Sequence, residues 1–333
     1  MRRTAALRTL AALVAVAGLT SSCGSATRAG DPRANEPSGA PVTSAPQVEV
    51  TGSMPSGDLA FLGPVRQVPV DDVVVGFRQF GSGPELVLIV GQNSSMSYWG
   101  PDLLRALATH FSVTIFDNRG VGTTSDPATR PLTIERMADD TSELIDAIGL
   151  DHPAVFGWST GGEIGLALAT RHPGQLGPLV ISGATAGGPE STQAPPELDA
   201  LMASADLSDQ VKLVDELFTP SGASARDAYV EGLLAMPDDP VSAGAESRQA
   251  DAEAAFARDP SVADALASIT TPVLVTDGAE DRLVPVANAT FIAGRIPGAK
   301  LLLVPDTSHA WILQQIDHFV ATVVAFDAGQ PVA

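Results

Sequence analysis

Short runs of continuous Val, Ile and Leu, separated by longer stretches of helical periodicity, constrain the fold of this chain more than any other feature. They fall at residues 86–90, 113–116, 154–156, 179–182, 273–276 and 301–304. Runs of three to five residues dominated by apolar side chains suit strands buried on both faces, as in a parallel sheet covered by helices. Helical patterns near 102–109, 134–148, 162–171, 286–296 and 311–326 supply the covering layers. Ahead of them, 66–70 and 73–80 alternate in polarity and are joined by Asp71-Asp72, a polar pair suited to a tight turn, so the sheet should open antiparallel. The expected class is α/β, with a mostly parallel eight-stranded sheet flanked by helices.

The alternation breaks once. From 186 to 268 there is no convincing strand, only Ala-rich helical pieces with turn signals at Pro195-Pro196, Pro220-Ser221-Gly222 and 237–240. This stretch is expected to form a helical cap inserted into a core made of 60–185 and 269–333. Its apolar residues Leu201, Met202, Leu213, Phe218, Leu233, Leu234, Met236 and Phe256 are candidates either for a pocket or for the cap's own core.

Residues 1–22 have the form of an export signal. Arg2, Arg3 and Arg8 precede an apolar run at 10–19 that is too short to span a bilayer. The run ends in Leu19-Thr20-Ser21-Ser22-Cys23, which resembles a bacterial lipobox with Thr20 where Leu is usual. Cys23 is the one cysteine of the chain and can form no intramolecular disulfide, so its expected use is lipidation. The alternative is that cleavage falls nearby and Cys23 is incidental. Residues 23–59, rich in Pro, Gly, Ser and Ala, lack the apolar content to offset ordering entropy and are expected to be a flexible tether with a reach on the order of 30 Å. The chain is thus expected at the outer face of a bacterial cell membrane, held by its lipid.

The chemistry centres on Gly157-Trp158-Ser159-Thr160-Gly161, which follows the apolar run 154–156 and precedes a helical pattern. A strand, a sharp turn and a helix in that order lift a serine clear of a sheet and aim the next backbone N–H at the place where an oxyanion would form. Here the chain resembles the α/β-hydrolase superfamily, over roughly residues 65–325. Further segments carry the likeness: Asp117-Asn118-Arg119-Gly120-Val121-Gly122-Thr123-Thr124, with Thr where Ser is usual; Gly278-Ala279-Glu280-Asp281-Arg282-Leu283-Val284-Pro285; and Ser308-His309-Ala310.

The resemblance implies a serine hydrolase with Ser159 as nucleophile, His309 as general base and Asp281 as orienting acid, in the chain order Ser, Asp, His. Asp277, Glu280 and Asp306 compete for the acid role. The backbone N–H of Thr160 is the expected first oxyanion donor. The second should come from Val90-Gly91-Gln92-Asn93-Ser94-Ser95, with Gln92 the first choice; many relatives carry His-Gly where this chain has Val90-Gly91. Arg119 is expected to pair with Asp117 or another acid within a structural loop. Of the five histidines, His110, His152 and His172 fall at helix ends and His318 inside a helix. Trp99, Trp158 and Trp311 are expected to pack rather than to form a substrate box.

A formal charge of −20 opposes binding to a phosphate backbone, so nucleic acid is not an expected partner. No cluster of metal-ligand spacing stands out, and neither metal nor organic cofactor is expected. The substrate is expected to be a small acyl compound, a carboxylic ester or lactone. Amide or peptide cleavage, carbon–carbon hydrolysis and perhydrolysis stay open, as does a catalytically silent surface binding module.

Overall fold

The computed structural model of the chain describes residues 46–204, 206–237 and 241–332. The export signal, Cys23 and most of the tether lie outside the described residues. Among the described residues nine strands form one sheet: β1 Glu49–Val50, β2 Arg66–Val70, β3 Val73–Gly81, β4 Glu85–Ile89, β5 Ser112–Phe116, β6 Ala154–Trp158, β7 Leu179–Ser182, β8 Val273–Gly278 and β9 Lys300–Val304. Their order is β1-β2-β3-β5-β4-β6-β7-β8-β9. Pairing is antiparallel from β1 through β3 to β5 and parallel from there to β9.

The count is nine rather than the expected eight because Glu49 and Val50 pair with Gln67 and Arg66 at the sheet edge. Two residues carry no periodicity, and the Pro- and Gly-rich composition around them argues for loop. Gly57–Leu62 is a 3-10 turn that buries Leu62 completely, so the folded body starts before the boundary drawn at residue 59.

The covering helices are α1 Pro101–Ala108, α2 Ile134–Ala147, α3 Thr160–Arg171, α9 Ala287–Arg295, α10 Trp311–Gln314 and α11 Ile316–Asp327, with α4 to α8 reserved for the insertion between β7 and β8. The single helix expected at 311–326 is two, because the chain bends at Gln315 (φ −131°, ψ 60°). Period-two alternation along β4 divides the core. Leu86 and Leu88 pack in one cluster with Leu103 and Leu107 of α1 and Phe319 and Val323 of α11. Val87 and Ile89 pack in the other with Ile134 and Ile145 of α2 and Ile164 and Leu168 of α3. Each such fully buried side chain contributes about 1.5–3 kcal/mol, which fixes the register that places the strand ends.

The insertion is helical, as expected: α4 Pro196–Met202, α5 Leu207–Glu216, α6 Ala223–Leu233, α7 Ala243–Phe256 and α8 Ser261–Ala265. Helix α7 is stitched to the core. The Ser242 N–H donates to the Gly120 carbonyl at 3.2 Å, Val241 forms a bridge with Val121, and Arg248 pairs with Asp126. Among the described residues no helix is long and apolar enough to cross a membrane.

Candidate active site

Strand β6 runs straight into α3 through Ser159, whose backbone sits at φ 58° and ψ −128°. A non-glycine residue in this region is strained, and it persists only where the surroundings over-determine it. Those surroundings are specific. The Ser159 N–H donates to the Ser182 carbonyl at 2.9 Å, and its own carbonyl accepts from Gly162 at 2.8 Å. Gly161 admits no side chain, since a Cβ there would lie 1.9 Å from the Ile89 carbonyl oxygen. The helix therefore starts pressed against β4, with the Ser159 side chain half-buried at the sheet's carboxyl edge.

Asp281 and His309 come from the loops after β8 and β9. His309 Nδ1 lies 2.7 Å from Asp281 Oδ2, and both residues are 5% exposed. The other Asp281 oxygen accepts the N–H groups of Leu283 (2.8 Å) and Val284 (3.0 Å), so the carboxylate cannot rotate away. Among the competitors for the acid role, Glu280 and Asp306 are exposed. Asp277 is buried within β8, where its Oδ1 accepts the Gly278 N–H. Burial first, and the Asp281 carboxylate second, push Asp277 well above the usual carboxylate range. Both effects favour its protonated form beside Asp281. Trp158 donates from Nε1 to the His309 carbonyl at 3.0 Å, and its ring lies 5.6 Å from the imidazole. Trp311 donates to Ser182 Oγ, and Trp99 is completely buried against Phe156 and Trp158. The three tryptophans pack, although Trp158 also faces the cavity.

The loop after β4 crosses directly over the serine: a Cβ on Gly91 would lie 3.2 Å from Ser159 Cβ. Two of its amides are already engaged. Asn93 N–H donates to Gln249 Oε1 at 2.7 Å, and Ser94 N–H to the Gly91 carbonyl. The Gln92 amide has no such acceptor among the described residues. Asp117 braces the far end of this loop, accepting from the Met96 N–H at 2.8 Å and from the Thr123 N–H at 3.0 Å. Arg119 does not pair with Asp117. It forms a forked contact with Asp140 (2.6 and 2.7 Å) and reaches Asp72 at 2.7 Å, which agrees with the structural-loop reading while settling the partner.

Ser159, His309, Gly91, Gln92 and Trp158 share one cavity of about 200 Å³. Its remaining wall comes largely from the cap: Met202, Leu213, Val214, Leu217, Tyr229 and Leu233. Of the apolar candidates, Met202, Leu213 and Leu233 face this cavity, Phe218, Met236 and Phe256 are buried in the core, and Leu234 is exposed. No Lys, Arg, Asp or Glu is among the described residues that line it. A larger cleft of about 570 Å³ lies between α1, α6 and the bend at Gln315, and it shares only Tyr229 with the serine cavity. The other histidines lie elsewhere; His152 and His172 are bound to Asp151 and Asp139.

Sequence reasoning missed Glu163, Gln249 and Glu253. Thr185 Oγ1 donates to Glu163 Oε1 at 2.7 Å, and Thr160 Oγ1 donates to Glu253 Oε1. Burial pushes Glu163 up to about 8, with the Glu253 charge adding to the shift, and pushes Glu253 up to about 7. The signal available was the spacing of Gln249 and Glu253, four residues apart and so on one helix face.

A mostly parallel sheet covered on both faces that presents Ser, Asp and His from the carboxyl ends of β6, β8 and β9 places this protein among the hydrolases of the α/β class. The chain belongs to the α/β-hydrolase fold family, whose profile matches residues 84–315. It is 30% identical over 252 residues to the Caulobacter sp. (strain K31) protein named "Putative carbamate hydrolase RutD", covering 74% of this chain and 91% of that one. Among solved structures, an α/β-hydrolase fold protein from Chitinophaga pinensis is 25% identical with a TM-score of 0.66, covering 79% of this chain and 96% of that one. Est816, described as an N-acyl homoserine lactone degrading enzyme, is 26% identical with a TM-score of 0.63, covering 78% and 99%.

Proposed function

We propose that this protein is a serine hydrolase of small, uncharged carboxylic esters or lactones. The observation that carries the reading is the 2.7 Å contact between His309 and Asp281 at the cavity that also holds the strained Ser159. Asp281 holds Nδ1 protonated, leaving Nε2 to take the Ser159 proton as Oγ attacks the acyl carbon. The carbonyl oxygen becomes an oxyanion facing the amides of Gln92 and Thr160. Breaking of the acyl C–O bond releases the alcohol, which receives its proton from His309. Water, deprotonated by the same nitrogen, then frees the acid and restores Ser159.

The cavity supports the substrate class. At about 200 Å³ it is smaller than the roughly 300–1,000 Å³ of sites for drug-sized ligands, and its apolar wall offers nothing to balance an ionic substituent. Carbamates present the same acyl geometry, and the 30% identity to a protein named for that activity favours a neutral carbamate as a second substrate type. An ionised carbamate would enter an uncharged cavity without a cation to meet it.

Labelling by a fluorophosphonate, and hydrolysis of a p-nitrophenyl ester series, should both vanish in Ser159→Ala. Undiminished labelling in that variant overturns the nucleophile, and a wild-type protein inert to every ester, lactone and carbamate restores the silent binding module. We further propose that the enzyme is exported and anchored through a lipidated Cys23. Globomycin should block its maturation, and a mature chain that starts elsewhere refutes the anchor.

A further inference from the structure

Helix α7 of the cap touches both sides of the proposed oxyanion hole. Its inward stripe is Ala245, Gln249, Ala252 and Phe256, all buried. Gln249 is 2% exposed and has both ends of its amide in use: Oε1 accepts the Asn93 N–H at 2.7 Å, and Nε2 donates to the Arg119 carbonyl at 3.3 Å. One turn on, Glu253 accepts from the Thr160 hydroxyl. Of the two amides proposed to hold the oxyanion, that of Gln92 is therefore next to a residue tethered to the cap helix and that of Thr160 belongs to one.

We propose that Gln249 and Glu253 are positioning residues that set the oxyanion hole, so that the cap helix governs transition-state stabilisation as well as pocket shape. The inference rests on the serine-hydrolase reading above. Asn93 sits at φ 50°, a left-handed conformation that asparagine tolerates but that is fixed only where its N–H is held. Gln249 takes the Asn93 N–H, which keeps that amide toward the cap and leaves the Gln92 N–H for the cavity. A carboxylate at 249 could accept from Asn93 but could not donate to Arg119, so only an amide of this length serves both ends. On the other side, Glu253 holds Thr160 through its side chain while the Thr160 N–H stays free for substrate.

The groups facing Glu253 are few. From α3 come Thr160 and Glu163, and from the loop after β7 comes Thr185, bonded to Glu163. Neither carboxyl forms an ion pair among the described residues, and Glu163 Oε2 is buried without a partner. Two carboxyls enclosed together hold at least one proton between them at neutral pH. Loss of that proton sets α3 and α7 against each other at the point where the oxyanion amides are held.

The test uses the mature chain and p-nitrophenyl acetate. Gln249→Ala and Glu253→Ala should each lower kcat by about tenfold to a hundredfold with KM within about threefold, and should slow fluorophosphonate labelling in proportion. Glu253→Gln keeps an acceptor for the Thr160 hydroxyl and should restore kcat near pH 7. It should also remove the fall in kcat expected of the wild type above about pH 8. Folded Gln249→Ala and Glu253→Ala with unchanged kcat would overturn the inference, as would a loss of kcat in Glu253→Gln equal to that in Glu253→Ala. If Gln249→Ala does not fold, the Glu253 pair and its pH profile decide. A wild type that neither labels nor turns over overturns the hydrolase reading itself, an outcome distinct from a wild type that labels and variants that match it.

Discussion

Gly183 lies flat against the His309 imidazole: a Cβ on residue 183 would sit 2.6 Å from Cε1 and 2.8 Å from Nδ1. The turn after β7 thus forms one wall of the slot that holds the ring against Asp281. Gly183 also has φ 58°, so any side chain adds backbone strain to the clash. Gly183→Ala should displace His309, lowering kcat/KM by more than about a hundredfold, while the melting temperature drops by only a few degrees. Steady-state kinetics beside calorimetry check this, and near-normal kcat/KM would show that the slot is looser than its geometry.

Burial and the neighbouring Asp281 carboxylate raise Asp277 above the usual carboxylate range and favour its protonated form. Asp277→Asn has the size and neutrality of the protonated acid and keeps an oxygen for the Gly278 N–H, and should keep kcat within about fivefold. Asp277→Leu leaves the Gly278 N–H without its acceptor in a buried strand, and should cost about 1–3 kcal/mol of stability along with most of the activity. Denaturant unfolding and the pH–rate profile separate the two, and equal damage from both substitutions would refute the protonated assignment.

The parts of this fold that were legible are those with a strong local period or a fixed chemical order. Val87 and Ile89 had to be buried on one face and Leu86 and Leu88 on the other, and Ser159 had to stand between a strand and a helix. The two-residue strand Glu49–Val50 was not legible, because nothing in its sequence distinguishes pairing from coil. Helix α7 was legible only as a helix. Apart from Phe256 at its end, its inward stripe is made of Ala and Gln, so hydropathy barely marks a face, and the contacts of Gln249 with Asn93 and of Glu253 with Thr160 span 156 and 93 residues. Long-range polar pairing of that kind leaves no periodic trace in a single sequence.

Stability should fall as the pH rises through neutrality, which follows from the sign of the Glu163 and Glu253 shifts. Both carboxyls are raised from an ordinary 4.5, to about 8 and about 7. Between about pH 4.5 and 8 the folded state binds more protons than the unfolded state, so unfolding free energy declines across that window and levels off above it. Glu163→Gln removes one titration and relieves the repulsion. It should flatten the decline by an amount on the order of 2 kcal/mol, read from urea midpoints at pH 5.0, 7.0 and 8.5. An unaltered slope would show that the pair is solvated.

Strain at Ser159 predicts that the active site is held at a cost to stability. Ser159→Gly removes the proposed nucleophile and the Cβ from a backbone at φ 58°, and should raise unfolding free energy by about 1 kcal/mol while abolishing turnover. Ser159→Ala keeps the Cβ and should abolish turnover with a smaller gain. Thermal scans of the three proteins give the order Gly above Ala above wild type; a destabilised Gly variant would contradict the strain.

Cavity size should set the acyl-chain range, and Leu233 is the place to change it. Its side chain ends α6, is 6% exposed, packs with Val214, and lines the cavity beside Ser159. Leu233→Ala removes three heavy atoms from the wall. Where the space joins the cavity instead of collapsing, the best p-nitrophenyl ester should lengthen by two or three carbons, and activity on the acetate should drop severalfold. The stability cost should be about 2–3 kcal/mol, near the low end for burial of this kind, since one side of the residue already faces an open space. Chain-length profiles measured at equal enzyme concentration decide the matter. A profile that keeps its optimum while activity falls uniformly would place the acyl chain against a different wall and make Leu233 part of the leaving-group side.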